Sequence, residues 1–261
     1  MKISMKGLDM SSMDIGITTY ESAEEQALHD RMLQLLKQAP MPEDQFLSNI
    51  GLFINSKNLS RILCMDHLYR LSVDIPGIVM EFGTRWGQNC SLFTALRGIY
   101  EPFNRHKKIV GFDTFDGFPS VASQDGNSKM IHPGNLTVTE GYKEYLEEIL
   151  RCQEEANPLE HITKFELRKG DATIEVERYL SENPHTIISL AYFDFDLYEP
   201  TKQCLESIKS RLVKGSVIGF DELNDSDSPG ETLALMEVLG LPNIKLRRYR
   251  YASRVSYFIL E

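Results

Sequence analysis

The sequence predicts an α/β protein built on a mostly parallel sheet with helices on both faces. Three observations carry that expectation. From residue 77 onward, short apolar runs alternate with stretches of helical periodicity, the pattern that crossover connections impose. At 261 residues, 42% hydrophobic and 25% charged, the chain can bury the core of one such domain. The last two apolar runs are separated only by Tyr251 to Arg254, a spacing that suits a hairpin and places an antiparallel strand at the C-terminal side of the sheet.

Taken in order, the first twenty residues are polar and Met-rich and read as loose. Glu21 to Gln38 places Ala27, Met32, Leu35 and Leu36 at helical spacing and stops before Pro40 and Pro42. Leu59 to Leu71 is a second amphipathic helix, so residues 1–74 read as a helical extension ahead of a domain spanning 75–261. Within that domain, strands are expected at Gly77 to Phe82, Lys108 to Phe112, Lys164 to Leu167, Thr186 to Phe193 and Ser216 to Phe220. Helices are expected at Gln88 to Leu96, Gly141 to Glu154, Ala172 to Leu180, Thr201 to Leu212 and Glu231 to Val238. Strands over Ile244 to Arg250 and Val255 to Leu260 close the chain. The stretch from Pro119 to Val138 is rich in turn formers and long for a connection, as a lid over a substrate would be.

Composition excludes several classes of function. No run approaches the roughly 18 apolar residues a membrane span needs, and the N-terminus lacks the apolar centre of a secretory signal, so cytoplasm is expected. The net charge of −10 argues against nucleic acid as a partner, and the basic run Lys245 to Arg250 reads as the solvated face of an edge strand. Cys64, Cys90, Cys152 and Cys204 form no metal-binding pair and read as buried free thiols.

In an open parallel sheet, ligands bind beyond the carboxyl ends of the strands. Those ends here carry Glu81-Phe82-Gly83, Asp113-Thr114-Phe115, Gly170-Asp171, Asp194-Phe195-Asp196 and Asp221-Glu222. Gly83, Thr84 and Gly87 form a glycine turn in which Gly83 permits a tight bend and Gly87 lets a ligand lie against the backbone. Asp113 follows at the interval from which an acid accepts hydrogen bonds from ribose hydroxyls. Asp171 can cap the helix starting at Ala172 and also face an adenine edge. Asp221 lies 27 residues (221 − 194) after Asp194, one helix plus one strand, so Asp194, Asp221 and Glu222 should meet at one sheet edge. Three carboxylates gathered there repel each other unless protonated or bridged by a cation, and oxygen-only ligands suit magnesium, calcium or manganese. His132, in the loop Ile131 to Gly134, is an outside candidate for a proton acceptor.

Four stretches together resemble the metal-dependent sugar O-methyltransferases typified by macrocin O-methyltransferase: residues 80–87, 111–119, 194–201 and 214–221. Phe220 to Asn224 and Gly230 to Leu235 are similar to a branch that includes a calicheamicin-pathway enzyme. The resemblance implies a class I methyltransferase fold, with a Rossmann-like sheet. It implies S-adenosylmethionine as cofactor, with Glu81, Gly83 and Asn89 around the methionine part. Asp113, with Thr114 and Phe115 beside it, would serve the ribose, and Asp171 and Ala172 would lie near adenine. Magnesium would bind at Asp194, Asp221 and Glu222, although the family usually has two aspartates where this chain has Asp221-Glu222. The implied reaction is methylation of a sugar hydroxyl on a small glycosylated natural product or glycan precursor, with Asp194 as ligand and possible base. The N-terminal helices would complete the pocket or form a dimer contact, and a homo-oligomer is expected. The same residues also admit a catechol-type O-methyltransferase, or a non-catalytic module that binds the cofactor equally well without magnesium.

Overall fold

The computed structural model describes residues 22–252 and 254–261. The loose segment expected over the first twenty residues, and the residue Glu21 that opens the first expected helix, lie outside them. Helix α1 (Ala23–Lys37) starts at Ser22, whose hydroxyl accepts from the Glu25 amide while the Glu25 carboxylate returns the bond. A short helix, α2 (Glu43–Phe46), and a 3-10 segment (Leu47–Phe53) lead to α3 (Ser56–Ser72), capped by Asn55.

The rest alternates: β1 (Ile78–Phe82), α4 (Gln88–Tyr100), β2 (Ile109–Asp113), α5 (Tyr142–Glu155), β3 (Phe165–Lys169), α6 (Ala172–Glu182), β4 (Ile188–Phe193), α7 (Tyr198–Ile208), β5 (Leu212–Phe220) and α8 (Gly230–Val238). Two short strands follow, β6 (Arg247–Arg248) and β7 (Ser256–Ile259). The sheet order is β3-β2-β1-β4-β5-β7-β6, with β1 to β5 parallel and β7 antiparallel to β5 and β6. No described helix is long and apolar enough to cross a membrane.

Alternating side chains split the core in two. Val79, Ile109, Leu190, Tyr192 and Val217 face α3, α4 and α5, while Met80, Val110, Ala191 and Ile218 face α6, α7 and α8. Helix α3 belongs to this sheet-covering layer, with Cys64, Met65, Leu68 and Tyr69 fully buried. On the second face Phe112, Phe82, Phe193 and Phe220 stack in register across four neighbouring strands, with centroid spacings of 5.1, 4.7 and 5.1 Å. Such pairs add about 0.5–1.5 kcal/mol each beyond burial. Each ring immediately precedes a residue at the end of its strand or just past it, so Asp113, Gly83, Asp194 and Asp221 stand at one level.

Three expectations need correction. The strand expected over Ile244 to Arg250 contracts to Arg247–Arg248, because a 3-10 turn at Leu241–Asn243 precedes it and both arginines are solvent-exposed at the sheet edge. Helix α7 begins at Tyr198 rather than Thr201, since Pro200 falls in the first turn, where a missing N–H costs nothing. Cys64, Cys90 and Cys204 are buried free thiols as expected, but Cys152 is exposed on α5, whose apolar face is turned inward through Leu146 and Leu150.

Candidate functional site

The sheet order reverses between β1 and β4, and a cavity of about 350 Å³ opens there beyond the strand ends. Its floor begins at Gly83, which sits at φ +91°; a Cβ there would lie 2.0 Å from the Asp194 carbonyl oxygen. The glycine is therefore what lets the chains leaving β1 and β4 touch. Thr84 and Arg85 continue the turn, closed by the Gly87 amide donating to the Thr84 carbonyl at 2.7 Å. Gly87 itself does not line the cavity. A Cβ on it would meet the Leu146 side chain at 2.4 Å, so its smallness serves the packing of α5, not a ligand.

The Asp113 carboxylate is held by two backbone amides, from Arg85 at 2.8 Å and Phe115 at 2.5 Å. Its oxygens keep further lone pairs toward the cavity it lines. Thr114 also lines the cavity and donates to the Gly117 carbonyl at 2.7 Å. Phe115 does not; it is buried in the core facing α3–α5, the turn having rotated it inward. Asp171 caps α6 through the Thr173 amide at 2.9 Å, and both it and Ala172 line the cavity, so the cap and the ligand-facing position coexist.

Asn89 lines the cavity and Glu81 lies buried behind it. Burial, the largest influence, pushes the Glu81 carboxyl up to about 7 against the opposing pull of Cys90 and Asn89. Glu81 Oε2 and Thr84 Oγ1 are buried with no hydrogen-bond partner. Groups of that kind fit a polar ligand supplied from the cavity.

At the other end of the cavity, Asp194 and Asp221 converge, but on an arginine. Arg61, from α3, donates through Nη2 to Asp194 at 2.7 Å and through Nη1 to Asp221, and its Nε reaches Asn89 Oδ1 at 3.4 Å. The Tyr192 hydroxyl donates to the same Asp221 oxygen at 2.7 Å. Glu222 turns instead to Arg254, its Oε2 remaining buried and unpartnered. Among the described residues no three His, Cys, Asp or Glu side chains are grouped as a metal's ligands. The expected three-carboxylate centre is thus split into two arginine pairs, because guanidiniums satisfy the acids that a cation would otherwise bridge.

Acid nevertheless exceeds base here. Asp196 also lines the cavity, with its carboxyl pushed up to about 7 by burial and by Asp221. Burial and the neighbouring Asp221 raise Asp194 well above the carboxylate range. Glu231, at the start of α8, is fully buried and accepts from the amides of Phe195 at 3.0 Å and Glu222 at 3.4 Å, tying the two acid loops together. His132 is exposed and does not line the cavity; Met130 and Leu136 of its loop do. Of the residues that sequence reasoning missed, Arg61 sits on a helix with no motif around it and Glu231 lies in the Gly230 to Leu235 stretch without a role read for it, whereas Asp196 stands in a strand-end loop already conspicuous for acid.

Comparison with solved structures places this geometry. The crystal structure of the calicheamicin methyltransferase CalS11 is 41% identical with a TM-score of 0.91, covering 97% of this chain and 99% of that one. The apo structure of CalS11, described as a TDP-rhamnose 3'-O-methyltransferase, is 41% identical with a TM-score of 0.82, covering 92% and 96%. The O-methyltransferase NovP, 16% identical with a TM-score of 0.59 over 90% of this chain and 98% of that one, shares the fold. No protein-family model and no curated protein matches the chain. Identity of 41% over nearly the full length of both chains shows that the protein belongs to the S-adenosylmethionine-dependent sugar O-methyltransferase family of CalS11, with the class I methyltransferase fold.

Proposed function

We propose that the protein methylates a hydroxyl of a sugar carried on a nucleoside diphosphate or on a small natural product, with help from a divalent cation such as magnesium. The observation that carries this reading is the single cavity joining the Gly83, Asp113 and Asp171 turns to the acid cluster at the ends of β4 and β5. The unpartnered Glu81 and Thr84 oxygens fit the polar methionine end of S-adenosylmethionine, Asp113 fits its ribose, and Asp171 with Ala172 fits its adenine. That the CalS11 structure is described as a TDP-rhamnose methyltransferase supports a nucleotide-linked sugar as the acceptor.

The sulfonium methyl is already activated, so the chain must align the acceptor oxygen with it and take one proton. As the new O–CH₃ bond forms and the S–CH₃ bond breaks, the hydroxyl proton passes to the Asp194 carboxylate, leaving a thioether and a methyl ether. Burial and Asp221 raise Asp194, so that once ionised it is a stronger base than a solvated aspartate. Glu231 keeps the two acid loops in register, and Phe118 and Leu197 exclude water from the cavity. The acid surplus and the buried, unpartnered Glu222 Oε2 fit a cation held by Asp194, Asp221 and Glu222. When bound, it would lower the pKa of the acceptor hydroxyl.

The helices before residue 75 and the domain from 75 to 261 act as one catalytic unit, since Arg61 of α3 reaches the acid pair. Exposed Leu28, Leu33, Leu35, Leu47 and Leu52 on the N-terminal helices support a homo-oligomer in which a second copy covers them. The buried free thiols and the acidic surface support a cytoplasmic enzyme that acts on neither membrane nor nucleic acid. The test is release of S-adenosylhomocysteine with nucleotide-sugar, glycoside and catechol acceptors, before and after chelation. Turnover of sugars that is lost with chelator and restored by magnesium is expected; turnover of catechol alone sinks the acceptor class, and undiminished turnover in chelator sinks the cation.

A further inference from the structure

Arg61 occupies the position between Asp194 and Asp221 that a shared cation would need. Its fork engages one oxygen of each carboxylate through separate nitrogens, the bidentate geometry that distinguishes arginine from lysine. The guanidinium also lies 5.8 Å from the Tyr192 ring centroid, and Tyr192 shares the same Asp221 oxygen. The backbone that carries it is fixed, since Cys64, Met65 and Leu68 one and two turns along α3 are fully buried. The side chain has room to swing if its bonds are released, because it is 26% exposed and lines the cavity. Withdrawal of Arg61 would therefore move a long side chain into the cavity and leave α3 in place.

Resting on the cation reading above, we propose that Arg61 is a built-in counter-cation that competes with the divalent cation for Asp194 and Asp221, so that loading the cation requires Arg61 to withdraw. The exchange breaks no covalent bond. Two charge-assisted hydrogen bonds are given up and two carboxylate–cation contacts replace them. Until then Arg61 keeps the two acids together and neutralised, which spares the cation-free protein a repelling pair. Withdrawal also releases Asn89, so cation loading is coupled to the methionine side of the cavity.

The experiment titrates the full-length, chelator-treated protein with Mn²⁺ and follows free Mn²⁺ by electron paramagnetic resonance. Wild type is compared with Arg61→Gln, which removes the charge, and Arg61→Lys, which leaves a point charge able to pair with one carboxylate. Competition predicts that Arg61→Gln binds Mn²⁺ at least about tenfold more tightly than wild type, with Arg61→Lys between them. A merely structural arginine predicts the reverse, weaker binding as the acid pair drifts apart. A cooperative thermal melt and an unchanged circular-dichroism spectrum show that each variant folds, and Arg61→Lys carries the test if Arg61→Gln does not fold. Unchanged or weaker Mn²⁺ binding overturns the proposal while Mn²⁺-dependent turnover would leave the cation reading intact. No Mn²⁺ binding by any of the three overturns both.

Discussion

Gly83→Ala separates what the glycine turn does for the fold from what it does for the site. The new Cβ would stand 2.0 Å from the Asp194 carbonyl oxygen, where real Cβ contacts under 3.0 Å essentially never occur, so the two loops must part by about 1 Å. The displaced group is the backbone of the residue assigned as proton acceptor, and a misplacement of about 1 Å can cost roughly 10²-fold in turnover, or about 2.7 kcal/mol. Alanine at φ +91° adds backbone strain of about 1–3 kcal/mol, which at about 2–4 °C per kcal/mol lowers the melting temperature by several degrees. Gly141→Ala is the control. It has φ +74° but no atom within 4 Å of its Cβ, so it carries the strain without the collision. The assay pairs calorimetric melting with steady-state release of S-adenosylhomocysteine. Both variants should melt early, but only Gly83→Ala should lose turnover. Equal turnover in the two would refute the contact between the β1 and β4 loops as the reason for glycine.

Asp194→Asn should lower kcat about 10²–10⁴-fold, as expected for a lost general base, while calorimetry finds cofactor affinity within about threefold of wild type. Near-normal turnover would remove Asp194 from the chemistry. Asp171→Ala should lose the cap on α6 and about 0.5–2 kcal/mol of stability by denaturant melting, and weaken cofactor binding as well. A loss of stability alone would make it a cap and nothing more. Glu81 titrates at about 7 in the fold against an ordinary 4.5, so the folded protein holds a proton that the unfolded chain has released. Its contribution is complete below about 4.5 and disappears as pH rises through about 7, so the cofactor-free protein should lose stability across that window. Glu81→Gln should flatten the melting temperature between pH 5 and 7, and an unchanged slope would assign the titration elsewhere.

What was legible in the sequence follows the range of the interactions involved. Strand ends could be read because each is local: an apolar run, then Gly83, Asp113, Asp171, Asp194 or Asp221. The Phe112, Phe82, Phe193, Phe220 ladder explains why these ends line up, since it fixes register one residue before each exit. Local reasoning failed where a neighbour distant in sequence decided the outcome. Gly87 was assigned to a ligand but is claimed by Leu146, and Phe115 sits in a loop that looks functional yet turns into the core. Nothing near His132 announces that its loop presents Met130 and Leu136 to the cavity instead. The acids were visible because a carboxylate at the end of a buried strand has no structural excuse. Their partners were not, because Arg61 lies 133 residues before Asp194 on a helix whose periodicity shows only a buried stripe.

That asymmetry bears on how the site balances charge. Asp194, Asp196 and Glu222 line one end of the cavity, with Asp221, Asp225 and Glu231 close by, and Arg61, Arg85 and Arg254 are the facing cations. The carboxylates outnumber the guanidiniums, which leaves negative charge to dispose of in a poorly solvated place. Protonation is one answer, and burial pushes Asp194, Asp196 and Glu231 upward, toward it. A dication is the other answer under the cation reading proposed above. The two answers differ in their consequence for the reaction, because a protonated Asp194 cannot accept the acceptor's proton, whereas an ionised one beside a cation can. Under the cation reading proposed above, a bound dication would favour the ionised Asp194 carboxylate, the form that can accept the proton.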